Sequence, residues 1–221
     1  MSGHPEQRLL FEIMEEDKYQ TALEIHDSLS QNLTGIAMLS SLLEHQVESG
    51  GTLDSAQAGE IVRLINVSIE YTRWIIHQLN PDRLNSNDLT VFLEHFTQSV
   101  QRVHHLTCTL ESPPHVPINN PTRWRALLRM IQQVVLKTIR ANTARHITIK
   151  VKVKATDLAL HIEDDGPSWK ADFDADRDLL KSRMDLFSNI AGAQLQVAST
   201  SGGGTEFHCR VADIVDNCVE S

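Results

Sequence analysis

From residue 6 to residue 47 the chain holds no proline and a single glycine, Gly35, and its apolar positions recur at helical spacing. Ala22, Leu29, Ile36 and Leu43 fall at intervals of seven, with Leu33 and Leu39 beside them, which predicts one long amphipathic helix. Glu48-Ser49-Gly50-Gly51-Thr52 predicts a turn, because the glycine pair suits a helix stop. A second periodic run follows through Ile61, Ile65, Ser68, Thr72, Ile75 and Leu79, stepping alternately by four and three. It closes at Asn80-Pro81, where a proline cannot continue the hydrogen-bonded helix. The two runs predict a helical hairpin. Each helix carries a wide apolar stripe that a lone hairpin cannot cover, so pairing of two hairpins in a four-helix bundle, a homodimer, is expected.

The period changes in the second half. Residues 88–103 read as a helix, 105–110 as extended chain interrupted by Pro113-Pro114, and 122–142 as a strong helix through Trp124, Leu127, Leu128, Ile131, Val134, Val135 and Ile139. Ile147, Ile149, Val151 and Val153 then alternate with Thr148, Lys150, Lys152 and Lys154, the signature of a half-buried strand with a wet basic face. Leu158 to Ile162 reads as a strand ending at Asp164-Asp165-Gly166, 176–190 as a helix, and 195–198 and 206–211 as strands joined by Ser201-Gly202-Gly203-Gly204. The expected class is α+β, with helices packed on one face of a mixed sheet. The expected organisation is a dimerisation hairpin over residues 1–83, a sandwich domain over 84–215 and a C-terminal tail over 216–221.

Charge sharpens this division. The 221 residues carry 29 acidic and 20 basic side chains, a net charge of −9. Residues 1–100 hold 15 acids and 5 bases, whereas 121–154 hold nine Lys or Arg and no acid. An acidic balance argues against nucleic acid as the main partner. No apolar run reaches the length of a membrane span, and the N-terminus lacks the features of a signal peptide. Cys108, Cys209 and Cys218 have no paired spacing and read as reduced thiols of a cytoplasmic protein. His95, His104, His105 and His115 lack cysteine partners or a His-Glu-x-x-His frame, so no metal is expected there. Lys150, Lys152 and Lys154 are most simply the wet face of a strand; a second use is contact with an acidic domain.

The chemistry in the first half centres on His26-Asp27-Ser28-Leu29-Ser30-Gln31. His26 lies at the edge of the apolar stripe, where packing holds it and a partner can reach it. A neutral imidazole is a competent nucleophile for phosphoryl groups. A neighbouring carboxylate can take its proton or stabilise the imidazolium. Gln31 falls four residues after Asp27, on the same helical face, and a side-chain amide can position water.

This segment resembles the phosphoacceptor helix of bacterial sensor histidine kinases of the nitrate-sensor subfamily, which carry a His-Asp-x-x-x-Gln motif. His26, Asp27 and Gln31 match it, and Leu79-Asn80-Pro81 with Leu84 and Leu89 resembles the family's exit from its second helix. The resemblance implies that His26 accepts phosphate, that Asp27 assists as base, and that Gln31 supports dephosphorylation of a partner response regulator. Residues 120–212 resemble the family's ATP-binding domain, an α/β sandwich of the Bergerat type. Against that pattern the helix 129–137 has Gln133 where the family has Glu, and Lys137 where it has a magnesium-binding Asn. The Asp-x-Gly-x-Gly loop keeps Asp164 and Gly166 but has Ser168 at the second glycine, where a positive φ would bring strain. The lid segment Asp176-Arg177-Asp178-Leu179-Leu180 has no glycine. The turn Gly202-Gly203-Gly204-Thr205 is kept.

An ammonium is a point charge and cannot hold phosphate oxygens octahedrally as magnesium does. Asp164, Gly166, Gly203, Gly204 and Thr205 are therefore read as a remnant ATP site, with no cofactor expected. No input domain is expected ahead of the hairpin. The combination resembles dimeric histidine phosphotransferases, which implies phosphotransfer between His26 and receiver domains of response regulators. The alternatives are a divergent kinase using ATP and magnesium under a separate sensor protein, and a non-catalytic regulator that binds a kinase or response regulator.

Overall fold

The structure is a computed structural model that describes residues 19, 22–23, 25–50, 55–79, 87–141, 143–175 and 179–216. Two compact units divide the chain, Met1–Leu79 and Asn80–Ser221.

The first unit is a helical hairpin. A π-helical turn, Ile25–Ser30, runs directly into α1 (Gln31–Glu48), which packs against α2 (Ser55–Leu79). The helices approach closely at Gly35, where an added Cβ would lie 3.2 Å from Leu64 Cδ1. Helix α1 ends as its glycine predicts: Gly50 adopts φ 72°, and the Ser49 and Gly50 amides donate to the His45 and Val47 carbonyls at 3.0 and 3.1 Å. Ser68 and Thr72 occupy the apolar period of α2 because their hydroxyls donate to the carbonyls of Leu64 and Ser68, both at 2.8 Å. That bond lets Ser68 be buried without an unmet polar group.

The second unit is α+β. It opens with α3 (Leu89–His104), whose N-cap Asp88 accepts from the Thr90 amide at 2.9 Å and the Val116 amide at 3.1 Å. Then come β1 (Thr107–Glu111), α4 (Pro121–Ala141), β2 (His146–Lys154), β3 (Asp157–Asp164), α5 (Lys170–Asp174), α6 (Leu180–Ala191), β4 (Ala193–Ser199) and β5 (Thr205–Val211). Asn120 caps α4, accepting from the Thr122 and Arg123 amides at 3.0 Å, with Pro121 in the first turn. The five strands form one mixed sheet in the order β1-β2-β3-β5-β4; β1 is parallel to β2 and every other pairing is antiparallel.

Alternation gives the sheet two faces. Ile147, Ile149, Val151, Leu158, Leu160, Ile162, Phe207, Cys209 and Val211 are buried on one, forming the core with Leu127, Leu128, Ile131, Val134 and Val135 of α4. Thr148, Lys150, His161, Glu163, Glu206 and His208 alternate with them on the other. Arg123 ties the layer together, donating to the carbonyls of Ala191 at 2.8 Å and of Ala212 and Asp213 at 2.6 Å.

Three features differ from the sequence reading. His26 lies in a π turn rather than an α-helix. The helix expected over 176–190 is described from Leu180, and a separate five-residue helix, α5, precedes it; five residues are too few to show a period. Strain expected at Ser168 is absent, since among the described residues the non-glycine positions of positive φ are His105, Ala155, Leu179 and Asp213. The positive φ falls on Leu179 instead (54°), in the segment expected as a lid without glycine, at a cost of about 1–2 kcal/mol. Asp176, Arg177, Asp178, Asn80, Pro81, Leu84 and Cys218 lie outside the described residues, as does the tail beyond Asp216.

Candidate functional site

His26 is exposed on the π turn, and Gln31 is exposed as the first residue of α1. The Asp27 backbone belongs to the same turn; its side chain lies outside the described set. The π geometry has a consequence for this trio. In an α-helix, with 3.6 residues per turn, positions five apart point about 140° away from one another. A π turn closes its hydrogen bonds between residues five apart and therefore sets them nearly one above the other. His26 and Gln31 are separated by five. The π turn thus favours bringing amide and imidazole to one side, which an α-helix would not. At its junction with α1, Thr34 Oγ1 donates to the Ser30 carbonyl at 2.8 Å.

The residues expected to form a remnant nucleotide site gather at the end of β3. Asp164 is buried, and its carboxylate is engaged from within the protein. Oδ1 accepts from the Gly166 amide at 2.9 Å, and Oδ2 accepts from Thr138 Oγ1 at 3.0 Å and from the Trp169 indole N–H at 3.3 Å. Trp169 is itself buried and packs edge-on to Phe173. Its amide donates to the Thr205 hydroxyl at 3.2 Å, so Thr205 is also committed internally. Gly204 is packed against the Asp164 carbonyl, which an added Cβ would approach to 1.9 Å. Gly203 lies in exposed turn backbone with φ 93°. Gln133, expected in place of the family's Glu, is buried and accepts from Arg183 Nη1 of α6 at 3.1 Å. Lys137 is half-buried on the same helix.

Next to this cluster, Asp165 accepts from the Arg145 and His146 amides at 2.7 and 2.9 Å and meets His146 Nδ1 at 3.0 Å. Burial raises the Asp165 carboxyl, but these hydrogen bonds outweigh it and hold the group at about 2. A cleft of about 410 Å³ opens beside it, lined by Glu163, Asp164, Thr200, Gly202, Gly204 and Glu206 among others.

Thr138, Trp169 and Arg183 were missed by sequence reasoning. Each reads as core or surface in its own segment, and only the fold brings them to Asp164 or Gln133. The histidines considered as metal ligands serve elsewhere: His115 Nδ1 pairs with Asp88, His105 caps α3 in the left-handed region, His104 is mostly buried and His95 is exposed. Lys150 bonds Glu111 at 3.1 Å, while Lys152 and Lys154 are exposed.

Residues 19–84 match the HisKA_3 family, described as histidine kinase. The chain is 23% identical over 169 residues to the signal transduction histidine-protein kinase/phosphatase DegS of Brevibacillus brevis, covering 72% of this chain and 42% of that protein. It is 22% identical over 200 residues to the sensor histidine kinase LiaS of Bacillus subtilis (strain 168), covering 90% of this chain and 55% of that one. It therefore spans roughly half or less of these curated relatives. Among solved structures, a bacterial phosphotransferase superposes with a TM-score of 0.60 at 11% identity, over 95% of this chain and 98% of the other. The histidine kinase domain of an Erythrobacter litoralis blue-light activated kinase gives 0.51 at 13% identity, over 82% and 96%.

The chain is similar to histidine kinases, through its HisKA_3 segment over residues 19–84 and through the curated relatives it aligns with. Among the described residues no helix is long and apolar enough to cross a membrane.

Proposed function

We propose that this protein is a cytoplasmic, dimeric histidine phosphotransferase that moves phosphoryl groups to and from the receiver domain of a response regulator without charging itself from ATP. The His26 imidazole attacks the acyl phosphate of a receiver aspartate; the P–O bond to the aspartate breaks and a P–N bond forms. Reversal passes the group to another receiver. Asp27 stabilises the developing imidazolium, and Gln31 positions a water that drains the receiver. The receiver supplies magnesium and the aspartate, so the demand on this chain is positioning.

The observation that carries this reading is the internal engagement of Asp164. In the family pattern that carboxylate recognises adenine; here it accepts hydrogen bonds from Thr138, Trp169 and Gly166. The Arg183–Gln133 contact points the same way, since a glutamine amide cannot serve as a carboxylate base.

The test is to incubate the protein with a phosphorylated receiver and follow label on both partners. Label should appear on this chain and be absent from His26→Gln, while radiolabelled ATP with magnesium should leave the chain unlabelled. Self-labelling from ATP that is lost in His26→Gln overturns the proposal. A second reading, a divergent kinase, is favoured by the gathering of the retained Asp164, Gly166, Gly204 and Thr205 at the end of β3. Calorimetry with ATP and magnesium separates the two, because only the kinase requires saturable binding.

A further inference from the structure

On the polar face of the sheet, His161 of β3 stands directly opposite His208 of β5 in the antiparallel register, and Glu163 stands opposite Glu206 one pair further along. The two imidazoles stack, with ring centroids 4.4 Å apart and planes inclined by 21°. His208 Nε2 lies 3.0 Å from Glu206 Oε2. His161 Nε2 is shielded from solvent and has no hydrogen-bond partner. A buried ring nitrogen without a partner is a cost that native proteins seldom leave unmet. Two carboxylates set opposite each other across a ladder also repel. Both features are relieved by one cation placed at this spot.

We propose that His161, Glu206 and His208 form a binding site for a divalent transition-metal ion, zinc above all. One ligand atom from each residue lies within 4.8 Å of the others. A tetrahedral zinc shell with bonds of about 2.0–2.1 Å needs neighbouring ligand atoms about 3.3 Å apart. Small side-chain rotations on two adjacent strands close that gap, and the strands themselves are fixed by their ladder. The metal takes the place of the proton that His208 Nε2 shares with Glu206, leaving neutral imidazoles and a carboxylate as ligands. Imidazole nitrogens select zinc, nickel or copper over magnesium and calcium, which prefer oxygen. Three protein ligands leave a fourth position to water or to a group from a partner. Among the described residues this is the one group of three His, Cys, Asp or Glu side chains close enough to share an ion. Sequence reasoning passed over it because the two histidines are 47 positions apart and neither belongs to a metal-binding spacing. The site is independent of the phosphotransfer proposal, because it involves neither His26 nor Asp164.

The test uses the full chain, freed of metal and titrated with zinc alone. Calorimetry should show one saturable equivalent per chain, and His161→Ala or His208→Ala should weaken it at least about tenfold, while His95→Gln leaves it unchanged. Saturating zinc should raise the melting temperature of the unaltered protein. A readout that needs no variant covers the case in which a substitution unfolds the sheet. Modification of histidines by diethyl pyrocarbonate, mapped by mass spectrometry, should be suppressed by zinc at His161 and His208 and not at exposed His95. The proposal is overturned if no single-equivalent binding occurs, if zinc leaves modification of His161 and His208 unchanged, or if folded His161→Ala and His208→Ala proteins bind zinc as tightly as the parent.

Discussion

Asp164 and Gly204 show how far one backbone contact governs the second unit. The Asp164 carbonyl occupies the space that a Cβ at position 204 would need, so neither partner can move without breaking strand geometry. Gly204→Ala should cost at least about 3 kcal/mol and leave the unit partly or wholly unfolded. Gly203→Ala is the contrast. Nothing lies within 4 Å of its added Cβ, and only its φ of 93° opposes a side chain, so about 1–2 kcal/mol is expected. Thermal melts of both variants check the difference. The retained glycine turn was legible in the sequence, but its use was not. Residue spacing offers Gly202, Gly203 and Gly204 as equals, and only the approach of a strand from elsewhere singles out Gly204.

His104 supplies a pH test at the same scale. Burial, with the charge of His105 adding to it, pushes this imidazole down to about 4. An unfolded histidine takes up its proton near pH 6.5, so between about 6.5 and 4 the unfolded chain binds more protons than the folded one. The stability tied to His104 is therefore complete above pH 6.5 and is lost as pH falls toward 4. About 2–3 kcal/mol should disappear between pH 7 and pH 4.5. Urea midpoints across that range should slope in the parent and flatten in His104→Leu.

Elements were more legible than sites. Long alternation in β2 and 3.6-residue periodicity in α4 are strong signals because a buried face repeats over many residues. The π turn at His26 was hidden, since a residue inserted into one helical turn changes hydrogen bonding without changing composition. The engagement of Asp164 by Trp169 was hidden for another reason: α5, which follows Trp169, has five residues and no period to read. The hairpin yields a prediction of its own. Gly35 lies inside α1, where glycine costs about 1 kcal/mol against alanine. The added methyl meets only the flexible end of Leu64, at 3.2 Å, which can give by a few tenths of an ångström. Gly35→Ala should therefore stabilise the hairpin by about 0.5–1 kcal/mol, seen as a higher melting temperature of its helical signal.

At the scale of the molecule the hairpin poses a question of burial. Helix α1 has 18 residues and none of them is buried, and Leu33, Met38, Leu42 and Val47 are between 47% and 70% exposed. On α2, Val62, Ile65 and Ile69 are 41–58% exposed as well. Scattered exposed apolar residues need no explanation, but two packed helices presenting seven of them form a surface that water opposes. A second hairpin supplies the missing layer and gives the four-helix arrangement that the phosphotransfer proposal uses. Light scattering should then report a dimer of the full chain. Met38→Glu combined with Ile65→Glu should shift it to monomer, because burying carboxylates in an apolar seam without partners is prohibitive. The second unit, with its own sheet and core, should keep its fold in that variant, seen as unchanged protection of β2, β3 and β5 amides in hydrogen exchange. A monomer in the parent protein would remove the dimer from the proposal and leave the apolar stripes of α1 and α2 to a different partner.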